Sequence, residues 1–101
     1  RLRLQVRIDA LRRQMGVAVR KVTVRDPRRQ WGSCSVRGAI SLSYRLIMAP
    51  PDVLDYVVVH ELAHVRETNH SRKFWDLVAR HHPDPNGCRA WLRTHGPFLS
   101  L

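Results

Sequence analysis

His60, Glu61 and His64 form an H-E-x-x-H pattern near the middle of the chain. On a helix, residues four apart differ by about 40° around the axis, so both imidazoles leave the same face. Two imidazoles in that arrangement can bind one Zn²⁺ at about 2.0–2.1 Å each. Glu61 projects about 100° from His60, beside the metal, where a general base for an attacking water belongs. The pattern predicts zinc-dependent hydrolysis with Glu61 as the catalytic residue.

The segment that carries this pattern favours a metal over two ordinary core histidines. Residues 51–66 are apolar nearly all round, which predicts a buried helix that begins at Pro51. Imidazoles and a carboxylate inside such a helix are costly unless they are paired or coordinated. The alternative is two satisfied core histidines and an ion-paired glutamate.

A third protein ligand is needed, and His70 is the residue we favour. In a continuous helix His70 would be rotated about 240° from His64, so the helix must end between them. Thr68-Asn69 is a suitable place, because Asn tolerates the left-handed conformation. The spacing equals that of the metzincin pattern, but Glu67 stands at its Gly position and no Met-turn follows. The rival third ligands are Glu67, Asp76, His81, His82 and His95.

Three protein ligands leave one position open for water, which is typical of catalytic zinc sites. Such a site hydrolyses peptide or amide bonds, and the developing oxyanion needs the metal and one further donor. Three residues remain open for that role: Tyr44, Arg45 and Tyr56.

The elements that must position these residues follow from hydrophobic periodicity. The order of a helix, then strands, then helices predicts a single α+β domain over residues 1–101. The expected elements are a helix ending at Gly16, strands over 17–24 and 39–43, a loop over 25–37, the helix over 51–66, a helix capped by Ser71, and a helix from Asp84-Pro85 to a terminator at Gly96-Pro97. Trp75 and Trp91 are interpreted as core residues.

Composition narrows the class of protein. The longest uninterrupted aliphatic or aromatic run is Tyr56–Val59, which excludes a membrane-spanning segment. Cys34 and Cys88 without a secretory signal favour free thiols and a cytoplasmic location. Because the chain begins with Arg1, we expect it to be part of a longer protein.

The net charge of +10 lies wholly in the first half of the chain. Residues 1–45 hold 12 Lys and Arg against two Asp, whereas residues 46–101 hold six of each sign. Such asymmetry is compatible with a nucleic-acid partner, although a solvated basic surface is the simpler interpretation.

Several motifs in combination resemble the YgjP-like predicted metal-dependent hydrolases, which are related to the SprT-like and WLM zinc metallopeptidases. They span residues 28–78 and comprise Trp31-Gly32-Ser33-Cys34, Gly38 with Ile40, Val57–His64, Asn69-His70-Ser71 and Phe74-Trp75. The chain departs from the family pattern at Ser43 and Tyr44, where Asn and Trp are common. These departures bear on the wall of the cleft more than on the metal.

The resemblance implies zinc bound by His60, His64 and His70, with Glu61 catalytic. It also implies a small zincin-like fold, in which a short, mainly antiparallel sheet packs on the active-site helix, with further C-terminal helices. In zincins an edge strand binds an extended peptide by strand addition, and Ala39–Ser43 is our candidate for that strand. The expected substrate-binding residues are Ala39, Ile40, Ser41 and Tyr44.

Two alternatives to a zinc metallopeptidase stay open. One is a DNA-associated SprT-like protease that uses residues 1–45 for phosphate contacts. The other is a non-catalytic domain that zinc stabilises for partner binding, which a fourth protein ligand would favour.

Trp31-Gly32-Ser33-Cys34 is interpreted as a tight turn in which Cys34 has a packing role, since nothing in the sequence places a base beside it.

Overall fold

Four α-helices, a 3₁₀ helix and a three-stranded sheet make up the part of the chain that the computed structural model describes, residues 2–25, 32–35 and 38–99. The elements are α1 (Leu2–Met15), β1 (Lys21–Arg25), β2 (Gly32–Cys34), β3 (Ala39–Ser43), the 3₁₀ helix (Tyr44–Met48), α2 (Pro51–Arg66), α3 (Arg72–His81) and α4 (Pro85–Leu99). The α+β class is confirmed.

The central helix α2 carries the H-E-x-x-H pattern and forms as the sequence predicts. Pro51 occupies its first turn, where the missing N–H costs nothing, and Asp52 suits the positive N-terminus. Val59, Leu62 and Ala63 are fully buried. The helix is therefore embedded in the core, and this packing holds His60 and His64 in position.

The sheet is mixed, with β3 between β1 and β2. β1 pairs with β3 in parallel over five residues, from Lys21 opposite Ala39 to Arg25 opposite Ser43. β2 pairs with β3 antiparallel over three residues, Gly32 to Cys34. The expectation of a mainly antiparallel sheet is wrong, because the chain reverses direction twice between β1 and β3 and the two strands end up running the same way.

The boundaries of β1 and β2 differ from the sequence prediction, because they depend on which residues pair with β3. The first strand covers Lys21–Arg25 rather than 17–24, because its ladder begins only where β3 offers a partner. Val17 is instead a core residue directly after Gly16, whose φ of +66° ends α1. β2 forms inside the segment that we predicted as a loop, while β3 has the predicted bounds.

The helices after α2 also differ from expectation in detail. Ser71 stands at the N-cap of α3, but its side chain makes no capping hydrogen bond. α4 continues through Gly96-Pro97 to Leu99, so the predicted terminator is wrong. Proline removes one helical hydrogen bond and disfavours a helix without forbidding it.

Helix α1 packs its apolar stripe into the core and is joined to α2 by an ion pair. Leu4, Ile8 and Leu11 are at most 4% exposed. Arg7 donates from Nε and Nη2 to the two carboxylate oxygens of Asp55, at 2.8 Å each. The start of α2 is thereby tied to α1.

Among the residues placed in this structure, no helix is long and apolar enough to cross a bilayer.

Candidate metal centre and catalytic cleft

Three imidazole rings meet at the end of α2. His60 and His64 lie one turn apart on α2, and His70 follows the helix. One ring nitrogen from each lies within 4.8 Å of the others, and Nε2 of His64 is 2.9 Å from Nε2 of His70. The ring centroids are 4.5–5.5 Å apart. The structure therefore brings together the three histidines that the sequence singled out.

His70 reaches the cluster because α2 stops just after His64. Glu67 is the C-cap residue in an extended conformation, with φ −125° and ψ 102°, and its N–H still donates to the carbonyl of Ala63. No described non-glycine residue has a positive φ, so Asn69 does not turn the chain through the left-handed region. α2 ends at Arg66, as expected, but the chain leaves it through the extended residue Glu67 and not through a turn at Thr68-Asn69.

Four of the five rival ligands have other partners, and the fifth, Glu67, is the C-cap residue of α2. In the described ranges, the group that could hold a metal contains His60, His64 and His70 alone. His81 contacts Gln14, His82 contacts the carbonyl of Asp52, His95 contacts the carbonyl of Trp91, and Asp76 pairs with Arg72.

The donor set fits a transition-metal ion. Imidazole nitrogens suit Zn, Cu, Fe and Ni, whereas Mg and Ca prefer oxygen ligands. Burial lowers the pKa of His64, and the neighbouring His60 and His70 lower it further, against a raising effect of Glu61. A lowered pKa keeps the imidazole neutral, which leaves a lone pair free for coordination.

Aromatic rings surround the three imidazoles. Phe74 is fully buried, and its ring centroid lies 4.4–5.1 Å from those of the histidines. Trp75 stacks on His70 with centroids 5.8 Å apart and an interplanar angle of 24°. Trp75 is half-buried and packs against the core, as we interpreted it, and its contact with His70 is an addition that the sequence did not indicate.

Glu61 is held beside the cluster in a tight space. Its side chain is buried, and Oε2 lies 3.1 Å from Nδ1 of His60. That contact leaves Nε2 of His60 for a metal. On the other side, a Cβ at Gly32 would stand 3.0 Å from Cγ of Glu61 and 3.3 Å from Oε2. The absence of a side chain at Gly32 therefore gives Glu61 its room.

The close approach of Gly32 to Glu61 is a feature of the site that sequence reasoning missed. Its motif was interpreted as a tight turn, but Gly32–Cys34 is strand β2, and Trp31 lies outside the described residues. Cys34 packs against the core and its thiol donates to the carbonyl of Ser35. Burial and the nearby Glu61 raise the pKa of Cys34, so the thiol stays protonated. This agrees with a packing role.

A cavity of about 330 Å³ opens beside His60 and Glu61. Its lining comprises Gly32, Tyr56, Val57, His60, Glu61, Arg89, Leu92 and Arg93. Burial raises the pKa of Tyr56 to about 12, despite an opposing effect of Arg89. Its hydroxyl therefore keeps its proton and can donate a hydrogen bond into the cavity.

Of the three residues considered as oxyanion donors, Tyr56 lines this cavity. Tyr44 is 44% exposed in the 3₁₀ helix, with the guanidinium of Arg45 at 5.7 Å from its ring centre. Neither Tyr44 nor Arg45 is among the residues that line the cavity.

The predicted peptide-binding strand is not an edge. Ala39, Ile40 and Ser41 belong to β3, which pairs with β1 on one side and β2 on the other. A substrate strand cannot add where both neighbours are occupied, so this expectation is wrong. β2 is the outer strand on that side of the described sheet, and it is the strand that contacts Glu61.

Comparison with known proteins places the chain in a family. The family model of the YgjP-like metallopeptidase domain matches residues 1–95. The crystal structure of the metallopeptidase zymogen of Pyrococcus abyssi abylysin aligns with a TM-score of 0.75 and 21% identity, covering 92% of each chain, which shows a shared fold. No curated protein matches the chain. Since the family model spans almost the entire sequence, this protein belongs to the YgjP-like metallopeptidase domain family.

Proposed function

We propose that this chain is a zinc-dependent peptidase in which His60, His64 and His70 hold Zn²⁺ and Glu61 is the general base. One observation carries the proposal: three imidazole nitrogens lie within 4.8 Å of one another beside a buried glutamate. The buried carboxylate and the open cavity at its side favour catalysis over a purely structural site.

The residues of the cleft have separable roles in peptide-bond hydrolysis. When bound, Zn²⁺ supplies Lewis acidity to the scissile carbonyl and to the attacking water. Glu61 takes a proton from the water as the water oxygen bonds to the carbonyl carbon. Glu61 then gives this proton to the amine nitrogen as the C–N bond breaks, which leaves a carboxylic acid and a free amine. Tyr56 donates its hydroxyl hydrogen to the oxygen that becomes negative.

The substrate backbone belongs on β2 rather than β3. β2 is the outer strand and lies directly against Glu61 through Gly32. An extended peptide that adds to this edge would run past the carboxylate. This arrangement supports a peptide or protein substrate.

The central experiment is Glu61→Gln, compared with wild type after loading with zinc. We expect about one zinc per chain in both proteins and a loss of hydrolysis of about a hundredfold or more in the variant, because the amide cannot accept the proton. Zinc is measured by mass spectrometry, and hydrolysis by quenched-fluorescence peptides. Glu67→Gln is the matched control, since it makes the same change at the C-cap of α2, and it should retain activity.

Full activity of Glu61→Gln would contradict the mechanism. X-ray absorption at the zinc edge tests the ligand set separately, and we expect three imidazoles with one non-protein oxygen. A fourth protein ligand would replace the peptidase proposal with a zinc-stabilised binding domain.

A further inference from the structure

Helix α4 presents two arginines to the catalytic cavity. Arg89 and Arg93 line it one turn apart, together with the apolar side chains of Val57 and Leu92. Among the residues that the structure describes, Glu61 is the one acidic residue in this lining. The cavity beside Glu61 is therefore lined by apolar side chains and by two positive charges from α4.

Arg89 is held in place by an aromatic contact. Its Cζ lies 4.7 Å from the ring centre of Trp75, which stacks on His70. Its charge also reaches Tyr56, whose pKa it lowers against the larger effect of burial. Arg89 is an exposed residue that contacts Trp75 and also lines the cavity. A cation held over an aromatic face keeps its N–H donors free for a ligand.

Three of the other arginines have acidic partners. Arg7, Arg12 and Arg72 each face an aspartate within 4.0 Å. Over the described ranges, the structure shows no carboxylate paired with Arg89 or Arg93. Two guanidinium groups left without acids beside a cleft favour an anionic group on the ligand, and carboxylate matches their fork geometry.

We propose that Arg89 and Arg93 select substrates that carry a carboxylate close to the scissile bond. The inference rests on the proposed peptidase function and specifies its substrate class. The carboxylate comes either from an acidic side chain or from the C-terminus of the peptide. The cavity volume of about 330 Å³ is at the small end of ligand sites, which suits one side chain or one chain end.

The test uses quenched-fluorescence peptides that differ at single positions around one cleavage site. Each position carries Glu, Gln or Lys, and each peptide is made as a C-terminal acid and as an amide. We expect kcat/KM to be at least about tenfold higher for a carboxylate than for its neutral amide, since the contact is charge-assisted. A Glu over Gln preference assigns the side chain, and an acid over amide preference assigns the C-terminus. High salt should reduce either ratio.

Variants of α4 connect the preference to the arginines. In Arg89→Gln/Arg93→Gln the ratio should fall to about one. Arg93→Glu should favour the Lys peptide, a reversal that loss of folding cannot produce. Arg80→Gln is the matched control, because Arg80 lies on α3 outside the cavity, and it should keep the wild-type ratio.

A binding measurement separates this inference from the proposed function. Fluorescence anisotropy of labelled peptides on the Glu61→Gln variant reports affinity without cleavage. Selective binding without hydrolysis by the zinc-loaded wild type would overturn the peptidase proposal and retain the carboxylate site. Equal kcat/KM and equal affinity for carboxylate and amide peptides would overturn the role of Arg89 and Arg93.

Discussion

Gly32 lies against Glu61, and because it has no side chain it leaves room for the carboxylate. A Cβ at Gly32 would stand 3.0 Å from both Cγ of Glu61 and Cδ2 of Leu42. We therefore expect Gly32→Ala to displace the carboxylate and to lower kcat by up to about tenfold, since small misplacements of a catalytic group are costly. Zinc content should stay at the wild-type value. Peptide hydrolysis and metal analysis check the two expectations.

A shorter acid provides the control for the Gly32→Ala prediction. Glu61→Asp removes one methylene and so relieves the overlap with a new Cβ. The loss caused by Gly32→Ala should be smaller in the Glu61→Asp background than in the wild type. Equal losses in both backgrounds would show that Gly32 acts on the strand in general and not on the position of the base.

The histidines could be predicted from the sequence because their spacing is local. His60 and His64 share a face of one helix whatever surrounds it, and only the end of that helix had to be inferred for His70. The positions of Gly32, Trp75 and Arg89 beside the histidines and Glu61 could not be predicted. They depend on β2, α3 and α4 meeting at α2, and no residue spacing encodes such contacts.

At the scale of elements, the helices were predicted better than the sheet. The apolar pattern of α1 and α2 repeats within each segment, so their existence follows from periodicity. The order of strands depends on which segments pair, and β2 has only three residues, Gly32–Cys34, without an alternating apolar pattern. β3 was therefore expected to be an edge strand although it is the central one.

The ion pair between α1 and α2 gives a prediction at this scale. Arg7 and Asp55 make two hydrogen bonds of 2.8 Å, but their side chains are 41% and 26% exposed. Solvent screening limits what they contribute, so Asp55→Asn should lower the free energy of unfolding by about 0.5–1 kcal/mol. Urea denaturation measures the change. In a double-mutant cycle with Arg7→Gln, the interaction energy between Arg7 and Asp55 should account for most of this change.

Asp9→Asn serves as the comparison for Asp55→Asn. Asp9 lies within α1 and contacts Arg12 at 3.9 Å, without joining two helices. Its replacement should change the free energy of unfolding by less than about 0.5 kcal/mol. If both variants lose the same amount, the pair does not tie α1 to α2.

In the molecule as a whole, positive charge is concentrated in the first half of the chain, and some of it is paired with carboxylates of the same chain. Arg7 and Arg12 of the basic half already face carboxylates, while Arg89 and Arg93 of the neutral half line the cavity. The charge that matters to the proposed chemistry thus comes from the half of the chain without net charge. Nucleic-acid binding by residues 1–45 stays a prediction, for which a salt-dependent affinity is the measurement.

The response of the whole fold to alkali depends on groups that burial keeps protonated. Cys88 is 1% exposed and faces the carbonyl of Asp52. Burial, and then the carboxylates of Asp52, Asp84 and Asp55, raise its pKa from 9.0 to about 11. In the unfolded chain the thiol ionises near its ordinary value, so the unfolded state is favoured as pH rises above 9. The contribution of the protonated Cys88 thiol to stability is therefore complete below pH 9 and is lost by about pH 11.

We therefore expect the free energy of unfolding to fall between pH 9 and 11, with Cys88 contributing on the order of 2 kcal/mol. Urea denaturation at several pH values gives the slope. Cys88→Ala leaves a cavity that lowers stability at every pH, but it should flatten the slope. Cys34→Ala should flatten it less, because that thiol is only partly buried. An unchanged slope in Cys88→Ala would mean that the buried thiol does not couple proton binding to the fold.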